Sequence, residues 1–270
     1  MIKLLKRWLV GSTSGQAESD TEEKDTQVHV TPYLPPDRRL YCIGDIHGRL
    51  DLLEELHAII LADCAGFDGS RIVVYLGDYI DRGAQSKQVL DLLIEQPLAC
   101  FETVYLLGNH EHAMLNFLKN PGGIGAAWLS FGGQVTCMSY GVGVGRIRLN
   151  MDLDQLRNEL ADKLPQSHLD FLNTMRHFYT EGSYCFVHAG IRPDVSIEDQ
   201  ELGDLLWIRD EFTRSRSCHE FIVVHGHTIS LEAELLPNRI GIDTGAYQTG
   251  LLTALVLEGS DQRLLQTGRD

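Results

Sequence analysis

The sequence lacks most features of secreted and membrane-spanning proteins. Its 270 residues include only six cysteines and eight prolines, and no two cysteines form a C-x-x-C pair. No apolar run approaches the roughly 20 residues that a membrane-spanning helix needs. A disulfide framework is not expected either, and Cys42 and Cys185, in apolar runs, are predicted to be buried free thiols. We therefore expect a cytoplasmic protein without a transmembrane segment.

Positive charge is also scarce. There are 23 lysines and arginines against 38 aspartates and glutamates, which gives a formal net charge of −15. Because binding to a phosphate backbone requires clustered basic side chains, no nucleic-acid partner is expected. An anionic substrate is still allowed, since bound divalent cations would reverse the local charge.

The first 36 residues differ in composition from the rest of the chain. Residues 1–10 (MIKLLKRWLV) mix basic and apolar side chains, and residues 11–25 are rich in serine, glycine and acidic residues. We predict a flexible N-terminal tail and linker over residues 1–36 and one large domain over residues 37–270. The alternative for residues 1–10 is a short helix in peripheral contact with a membrane or a partner.

Short apolar runs rich in valine, isoleucine and tyrosine alternate with helical patterns in the first half of the domain. The predicted strands are Leu40–Ile43, Arg71–Leu76, Thr103–Leu107, Tyr184–His188, Phe221–Val224, Ile240–Ile242 and Leu251–Leu257, and the predicted helices are Leu50–Asp63, Gln85–Glu95 and His110–Leu118. This order predicts a layered α/β fold, whose ligands gather beyond the carboxyl ends of the strands. The glycine-rich segment Pro121–Lys163 is predicted to be a partly helical insertion that walls or covers the site.

Polar motifs beside glycines follow five of these apolar runs. They are Gly44–Gly48, Gly77–Gly83, Gly108–Glu111, Val187–Gly190 and Val224–Thr228. Aspartate, asparagine and histidine ligands of this kind suit manganese, iron or zinc better than calcium. The candidate metal ligands are Asp45, His47, Asp78, Asn109, His188 and His227. A carboxylate can bridge two cations, and Asp78 is the candidate bridge.

Further polar side chains next to these motifs suit catalysis. His110 is predicted to give a proton to a leaving alkoxide, with Asp81 holding its ring in position. Arg82 and Arg209 are candidates for binding a tetrahedral phosphate.

Four further residues are predicted to have structural roles. Glu111 is interpreted as the partner of an arginine, and His225 as a packed histidine beside the ligand His227. Trp128 and Trp207 are predicted to pack in the core rather than to line a substrate groove.

Together, the motifs GDIHG, GDYIDRG, GNHE, HAG and GHT resemble those of the phosphoprotein phosphatase family of binuclear metallophosphatases. This family lies within the calcineurin-like phosphoesterase superfamily, and the similarity is greatest to its small bacterial and phage branch. The resemblance runs from Leu40 to Leu257. It implies a central β-sandwich flanked by helices and two divalent metal ions, with manganese as the first choice and iron or zinc as alternatives.

The resemblance also implies roles for the candidate residues. Asp45, His47 and Asp78 would hold one ion, and Asp78, Asn109, His188 and His227 the other. The Asp81–His110 pair would supply the acid, and Arg82 and Arg209 would bind phosphate. The implied reaction is in-line attack by a metal-bridging hydroxide on phosphoserine or phosphothreonine in proteins.

A second enzymatic function stays open. The ending Ile242–Tyr247 also resembles the symmetrical dinucleoside-tetraphosphate hydrolases. Those enzymes usually lack an acid at the position of Asp81 and have GNHD, so Asp81 and Glu111 favour a protein phosphatase. Hydrolysis of dinucleoside tetraphosphates or other small phosphoesters is the alternative. An inactive scaffold that binds phosphorylated partners is disfavoured, because no ligand position is degenerate.

Overall fold

The computed structural model describes residues 30–143 and 152–268. Its strands are β1 (Arg38–Ile43), β2 (Ser70–Tyr75), β3 (Glu102–Tyr105), β4 (Phe178–Glu181), β5 (Tyr184–Val187), β6 (Ile222–His225), β7 (Glu234–Leu235), β8 (Arg239–Gly241), β9 (Thr253–Glu258) and β10 (Asp261–Gln266). Its α-helices are α1 (Leu50–Asp63), α2 (Ser86–Glu95), α3 (Asn109–Lys119), α4 (Pro121–Trp128), α5 (Gln134–Ser139), α6 (Leu153–Lys163), α7 (Gln166–Thr174), α8 (Leu202–Trp207), α9 (Asp210–Thr213) and α10 (Ala246–Thr249).

The strands form two five-stranded mixed sheets. The first has the order β10-β9-β1-β2-β3, and the second has the order β4-β5-β6-β8-β7. Strands β1, β2 and β3 are parallel to one another in the first sheet, and strands β5, β6 and β8 are parallel in the second. Their outer neighbours are antiparallel, which gives the α/β sandwich that the resemblance implied.

Alternating side chains divide the core into layers. In β1, Leu40 and Cys42 pack between the two sheets, whereas Tyr41 and Ile43 pack against the helices on the outer face. In β5, Tyr184 and Phe186 likewise face the other sheet, whereas Cys185 and Val187 face outward. Because both faces of each central strand are buried, its sequence is a nearly continuous apolar run.

Three strands were not predicted: β4, β7 and β10. They contain polar residues such as Glu181, Glu234 and Arg263, and each lies at or beside a sheet edge. Edge strands bury only part of their surface, so they lack the apolar run that marked the central strands.

The predicted tail lies largely outside the described residues. The described residues begin at Val30, and Leu34 is fully buried between the sheets. The backbone N–H of Leu34 donates to the carbonyl of Gly259 at 2.7 Å. Contacts of the domain therefore begin before residue 37, and the flexibility of residues 1–29 stays a prediction.

The glycine-rich insertion is helical where the structure describes it. Helices α4 and α5 are separated by a break at Gly132, whose φ is 118°. Trp128, at the end of α4, is fully buried against Phe117, as predicted for core packing. Within residues 30–143 and 152–268, no helix is long and apolar enough to cross a bilayer.

Candidate active site and metal centre

Parallel strands of both sheets end at the same edge of the sandwich and bring the five motifs together. The predicted ligands follow β1, β2, β3, β5 and β6, and all of them are buried. They are Asp45, His47, Asp78, Asn109, His188 and His227. The structure thus places side chains from positions 45 to 227 of the chain in one cluster.

Left-handed backbone conformations mark this cluster. The φ angles of His47, Asp78 and His227 are 48°, 52° and 60°. Such conformations are costly for residues with a side chain and persist only where the surroundings determine them. Two of the loops also approach very closely, since a Cβ atom on Gly77 would lie 2.6 Å from the Cα atom of Gly108. Only glycine allows that approach.

Asp78 lies between two groups of potential metal ligands. One group is His47, Asp78 and His110, and the other is Asp78, His188 and His227. Asp78 Oδ2 is 3.4 Å from His47 Nε2, whereas Asp78 Oδ1 is 3.5 Å from His188 Nε2. The two oxygens of one carboxylate therefore face opposite groups, which is the arrangement a bridging ligand needs.

The surroundings of Asn109 show that these residues fit a cation. His188 donates its Nδ1–H to the carbonyl of Leu76 at 2.9 Å, so its Nε2 carries a lone pair. Asn109 Oδ1, also an acceptor, lies 2.8 Å from that Nε2 and 2.9 Å from His227 Nδ1. Two lone pairs that face each other at this distance are satisfied by a metal ion bound to both.

The charge of the site leads to the same conclusion. Burial lowers the pKa of His47 to about 3 and that of His227 to about 2, so both rings are neutral at pH 7. Burial also raises the pKa of Asp45 well above its usual range, and the carboxylates of Asp243 and Asp78 raise it further. Crowded buried carboxylates beside neutral imidazoles are the environment that divalent cations stabilise.

Asp45 is the predicted ligand with the least direct geometric support. Neither group of three includes it, and His110 takes its place beside His47 and Asp78. The Asp45 carboxylate accepts the backbone N–H of His227 at 3.1 and 3.2 Å. Its role as a ligand stays a prediction.

The pair of Asp81 and His110 is formed as predicted by the motif spacing. His110 Nδ1 lies 2.6 Å from Asp81 Oδ2, and both side chains are buried. Burial lowers the pKa of His110, but the carboxylates of Asp78 and Asp81 outweigh this effect, and the pKa is raised. A ring that is held through Nδ1 and has a raised pKa is suited to donate a proton from Nε2.

Two residues that hold Asp81 were missed in the sequence. Trp128 Nε1 donates to Asp81 Oδ2 at 2.9 Å, and the Thr136 hydroxyl donates to Asp81 Oδ1 at 2.6 Å. Both belong to the glycine-rich insertion, and no motif marks them. The glycine-rich segment therefore holds the carboxylate of Asp81, the residue that contacts His110.

Arg82 lies among the ligands, and Arg209 lies at their margin. The guanidinium of Arg82 is 2.8 Å from His47 Nε2 and 3.2 Å from His110 Nε2, with the ring of Tyr247 centred 4.7 Å away. Arg209 is exposed, and its Nη1 is 3.5 Å from the carbonyl of His227. Both cations are thus available to an anion at the site.

Asp243 is a further buried acid that the ligand motifs did not reveal. It follows β8 as Asp45 follows β1, and Gly245 donates its N–H to Asp243 Oδ1 at 2.9 Å. Within the described residues, Asp243 Oδ2 is buried without a hydrogen-bond partner. The signal was present in the sequence, because IDTG repeats the pattern of an acid and a glycine after an apolar strand.

The prediction that Glu111 is the partner of an arginine is wrong. The Glu111 carboxylate instead accepts the backbone N–H groups of Asp78, Tyr79, Ile80 and Gly108, at 2.8 to 3.1 Å. Burial, together with the nearby Asp78 carboxylate, raises the pKa of Glu111 to about 8, and the hydrogen bond from the Ile80 N–H opposes that rise. The residue holds the loop after β2 against the start of α3 rather than binding an arginine.

Replacing Glu111 with alanine should therefore destabilise the fold. The change leaves four buried N–H groups without an acceptor, so we expect the free energy of unfolding to fall by about 3 kcal/mol or more. Urea unfolding followed by circular dichroism measures the difference. Glu54→Ala, at an exposed position of α1, is the matched control and should change stability by less than about 0.5 kcal/mol. Equal stability of the two variants would contradict this role.

Comparison with known proteins agrees with the geometry of the site. Residues 38–247 match the family model described as calcineurin-like phosphoesterase. The chain belongs to this family. Its members use divalent metals, and this phosphoesterase carries two candidate metal-binding groups that share Asp78.

Relatives of this phosphoesterase have different named activities. A symmetrical bis(5'-nucleosyl)-tetraphosphatase of Nitrosomonas europaea is 25% identical over 84% of this chain and 97% of its own length. Serine/threonine-protein phosphatase 2 of Escherichia coli is 27% identical over 80% of this chain and 91% of its own length. A crystal structure of a candidate diadenosine tetraphosphatase shares the fold, with a TM-score of 0.60 at 21% identity over 89% of this chain and 100% of that one.

Proposed function

We propose that this phosphoesterase hydrolyses phosphate monoesters and that its first substrates are phosphoserine and phosphothreonine in proteins. The observation that carries the proposal is Asp78, whose two oxygens face separate groups of metal ligands. Asp45, His47 and Asp78 would hold one divalent ion, and Asp78, Asn109, His188 and His227 the other. When bound, such a pair supplies Lewis-acid stabilisation of phosphate oxygens and an activated water.

The protein's own residues then orient the ester and move the proton. Arg82 lies among the ligands and would bind phosphate oxygens through its planar fork, with the exposed Arg209 as a second cation. His110 would donate its Nε2 proton to the leaving oxygen, while Asp81 accepts the Nδ1–H and keeps the ring in place. Trp128 and Thr136 prevent Asp81 from turning away.

Two observations support a protein substrate. Asp81 is present and its carboxylate is hydrogen-bonded to His110. In addition, one relative is named a serine/threonine-protein phosphatase. Hydrolysis of dinucleoside tetraphosphates is the second candidate, because another relative of similar identity is named for that activity. Manganese is the proposed metal, with iron or zinc as alternatives, on the basis of the mixed oxygen and nitrogen ligands.

A substrate and metal panel tests the proposal. We expect the purified protein, stripped with a chelator, to regain turnover of a phosphoserine peptide when Mn²⁺ is added. The same sample is assayed with Fe²⁺ or Zn²⁺ in place of Mn²⁺. Each metal is also tested with phenyl phosphate and with diadenosine tetraphosphate as substrates. A strong preference for the dinucleotide would overturn the protein substrate. Failure to hydrolyse any of the three substrates with any metal would overturn the proposed activity itself.

A further inference from the structure

The parallel strands of the two sheets share one feature at their carboxyl ends. Among the described residues, six strands run parallel to a neighbour: β1, β2 and β3 in the first sheet, and β5, β6 and β8 in the second. Five of them are followed within four residues by a candidate metal ligand, and β8 is followed two residues later by Asp243. Asp243 therefore lies at the strand end of this set that the candidate ligands leave out.

The loop that carries Asp243 packs directly against the loop that carries Asp45. A Cβ atom on Gly44, which precedes Asp45, would lie 2.7 Å from the carbonyl oxygen of Ile242, which precedes Asp243. The two carboxyl groups lie within hydrogen-bonding range of each other. After burial, the Asp243 carboxylate is the largest cause of the raised pKa of Asp45, ahead of the carboxylate of Asp78. Two buried acids therefore face each other at the edge of the ligand cluster.

The side chain of Asp243 is held in one orientation. Its Oδ1 accepts the N–H of Gly245 at 2.9 Å, and its backbone carbonyl accepts the N–H of Ser230 at 3.0 Å. The residue is only 3% exposed, and within the described part of the chain Oδ2 has no hydrogen-bond partner. A buried carboxylate oxygen without a donor costs free energy unless a cation neutralises it.

The positive side chain of the site is directed elsewhere. Burial raises the pKa of Asp243 to about 6, and Arg82 only partly opposes this rise. The guanidinium of Arg82 is instead 2.8 Å from His47 Nε2 and 3.2 Å from His110 Nε2. Within residues 30–143 and 152–268, no side-chain cation is hydrogen-bonded to Asp243 Oδ2. The charge that suits this oxygen is therefore that of a bound metal ion.

We propose that Asp243 is a further metal-binding residue of this site and that, together with Asp45, it binds the divalent cation assigned to His47 and Asp78. Carboxylate oxygens are suitable ligands for Mn²⁺, and one cation neutralises two adjacent carboxylates. The inference rests on the metal pair of the proposed function and adds a residue to it. Asp243 takes no part in proton transfer in this account.

Metal affinity and the stability of the metal-free protein should change in opposite directions. Asp243→Asn keeps the shape of the side chain and the acceptor for Gly245 but removes the charge. We expect the Kd for Mn²⁺, measured by isothermal titration calorimetry, to rise about tenfold or more. The melting temperature of the chelator-treated protein should rise by about 2–4 °C, because the repulsion between two buried carboxylates is lost. Asp243→Ser, which also removes the charge, is a second variant and should weaken Mn²⁺ binding to a similar extent.

Thr249→Val is the control for a purely structural role. Thr249 is exposed on α10, and its hydroxyl donates to the carbonyl of Thr244 at 2.9 Å and accepts the N–H of Leu251 at 3.0 Å. The change loosens the turn after β8 without altering its charge, so it should lower the melting temperature with and without Mn²⁺. The Kd for Mn²⁺ should change by less than about twofold. Asp261→Asn, at an exposed position of β10, controls for the loss of one negative charge and should change neither quantity.

The outcomes distinguish this inference from the proposed function. Wild-type affinity for Mn²⁺ in Asp243→Asn and Asp243→Ser would overturn the role of Asp243. A lower melting temperature of metal-free Asp243→Asn, with no more loss of affinity than in Thr249→Val, would also overturn it, because Asp243 would then only shape the turn. Wild-type protein that binds none of Mn²⁺, Fe²⁺ and Zn²⁺ would contradict the inference as well. Wild-type protein that binds Mn²⁺ but hydrolyses no phosphate monoester would overturn the proposed function alone.

Discussion

Asp78→Asn should abolish binding of the metal pair and lower kcat/KM for phenyl phosphate by about 10³-fold or more. Asp78 is the one carboxylate shared by both groups of ligands, so its loss affects both ions. Metal ions supply several kcal/mol of transition-state stabilisation, and each 1.36 kcal/mol corresponds to a factor of ten. Initial rates with saturating Mn²⁺, compared with the wild type, give the ratio.

A second measurement on the same variant does not depend on catalysis. A metal ion that binds only the folded state stabilises it by RT ln(1 + [L]/Kd), so the melting temperature rises as the affinity increases. We expect Mn²⁺ to raise the melting temperature of the wild type and to leave that of Asp78→Asn unchanged, and elemental analysis should show less metal per chain.

The control for Asp78→Asn is Asp261→Asn. It makes the same chemical change at the exposed start of β10. This variant should bind metal and hydrolyse phenyl phosphate as the wild type does. Wild-type metal content in Asp78→Asn would show that Asp78 is not the bridge, whatever the rate.

The cluster of candidate ligands was predictable because each of these residues sits in a local motif. Asp45, Asp78 and His188 each lie within three residues of the end of a short apolar strand, with a glycine nearby in the sequence. Parallel strands place such positions at one edge, so local spacing was enough to predict a shared site. The pairing of Asp81 with His110 was predicted from the same motifs, and the structure places His110 Nδ1 2.6 Å from Asp81 Oδ2.

What could not be predicted depends on contacts between distant segments. Trp128 and Thr136 lie 47 and 55 residues beyond Asp81, in a segment that was predicted only as a partly helical insertion. Their hydrogen bonds arise because α4 and α5 fold back over the loop after β2. The error for Glu111 has the same origin, because its partners are backbone groups that carry no sequence signal. Tertiary packing therefore decides the features that surround and tune the site.

His110→Asn is the test that separates proton donation from metal binding. His110 Nε2 is the predicted donor to the leaving oxygen, and its ring is held by Asp81 at 2.6 Å. We expect turnover of a phosphoserine peptide to fall by about 10²–10⁴-fold, the range for loss of a general acid. Phenyl phosphate should lose less, since a phenolate is a better leaving group and needs less protonation.

Comparing an alkyl with an aryl leaving group distinguishes proton donation by His110 from metal binding. His110 also belongs to one group of possible metal ligands, with its Nε2 3.7 Å from Asp78 Oδ2. If its main role were to bind metal, His110→Asn would lower the metal content and reduce both substrates by the same factor. If His110 donates the proton, the metal content stays at the wild-type value, and turnover of the alkyl ester falls more than turnover of phenyl phosphate. Asp81→Asn, which disturbs the ring without removing it, should show the same order of substrates with a loss of about 10–100-fold. Equal losses for both esters at full metal content would exclude His110 as the acid.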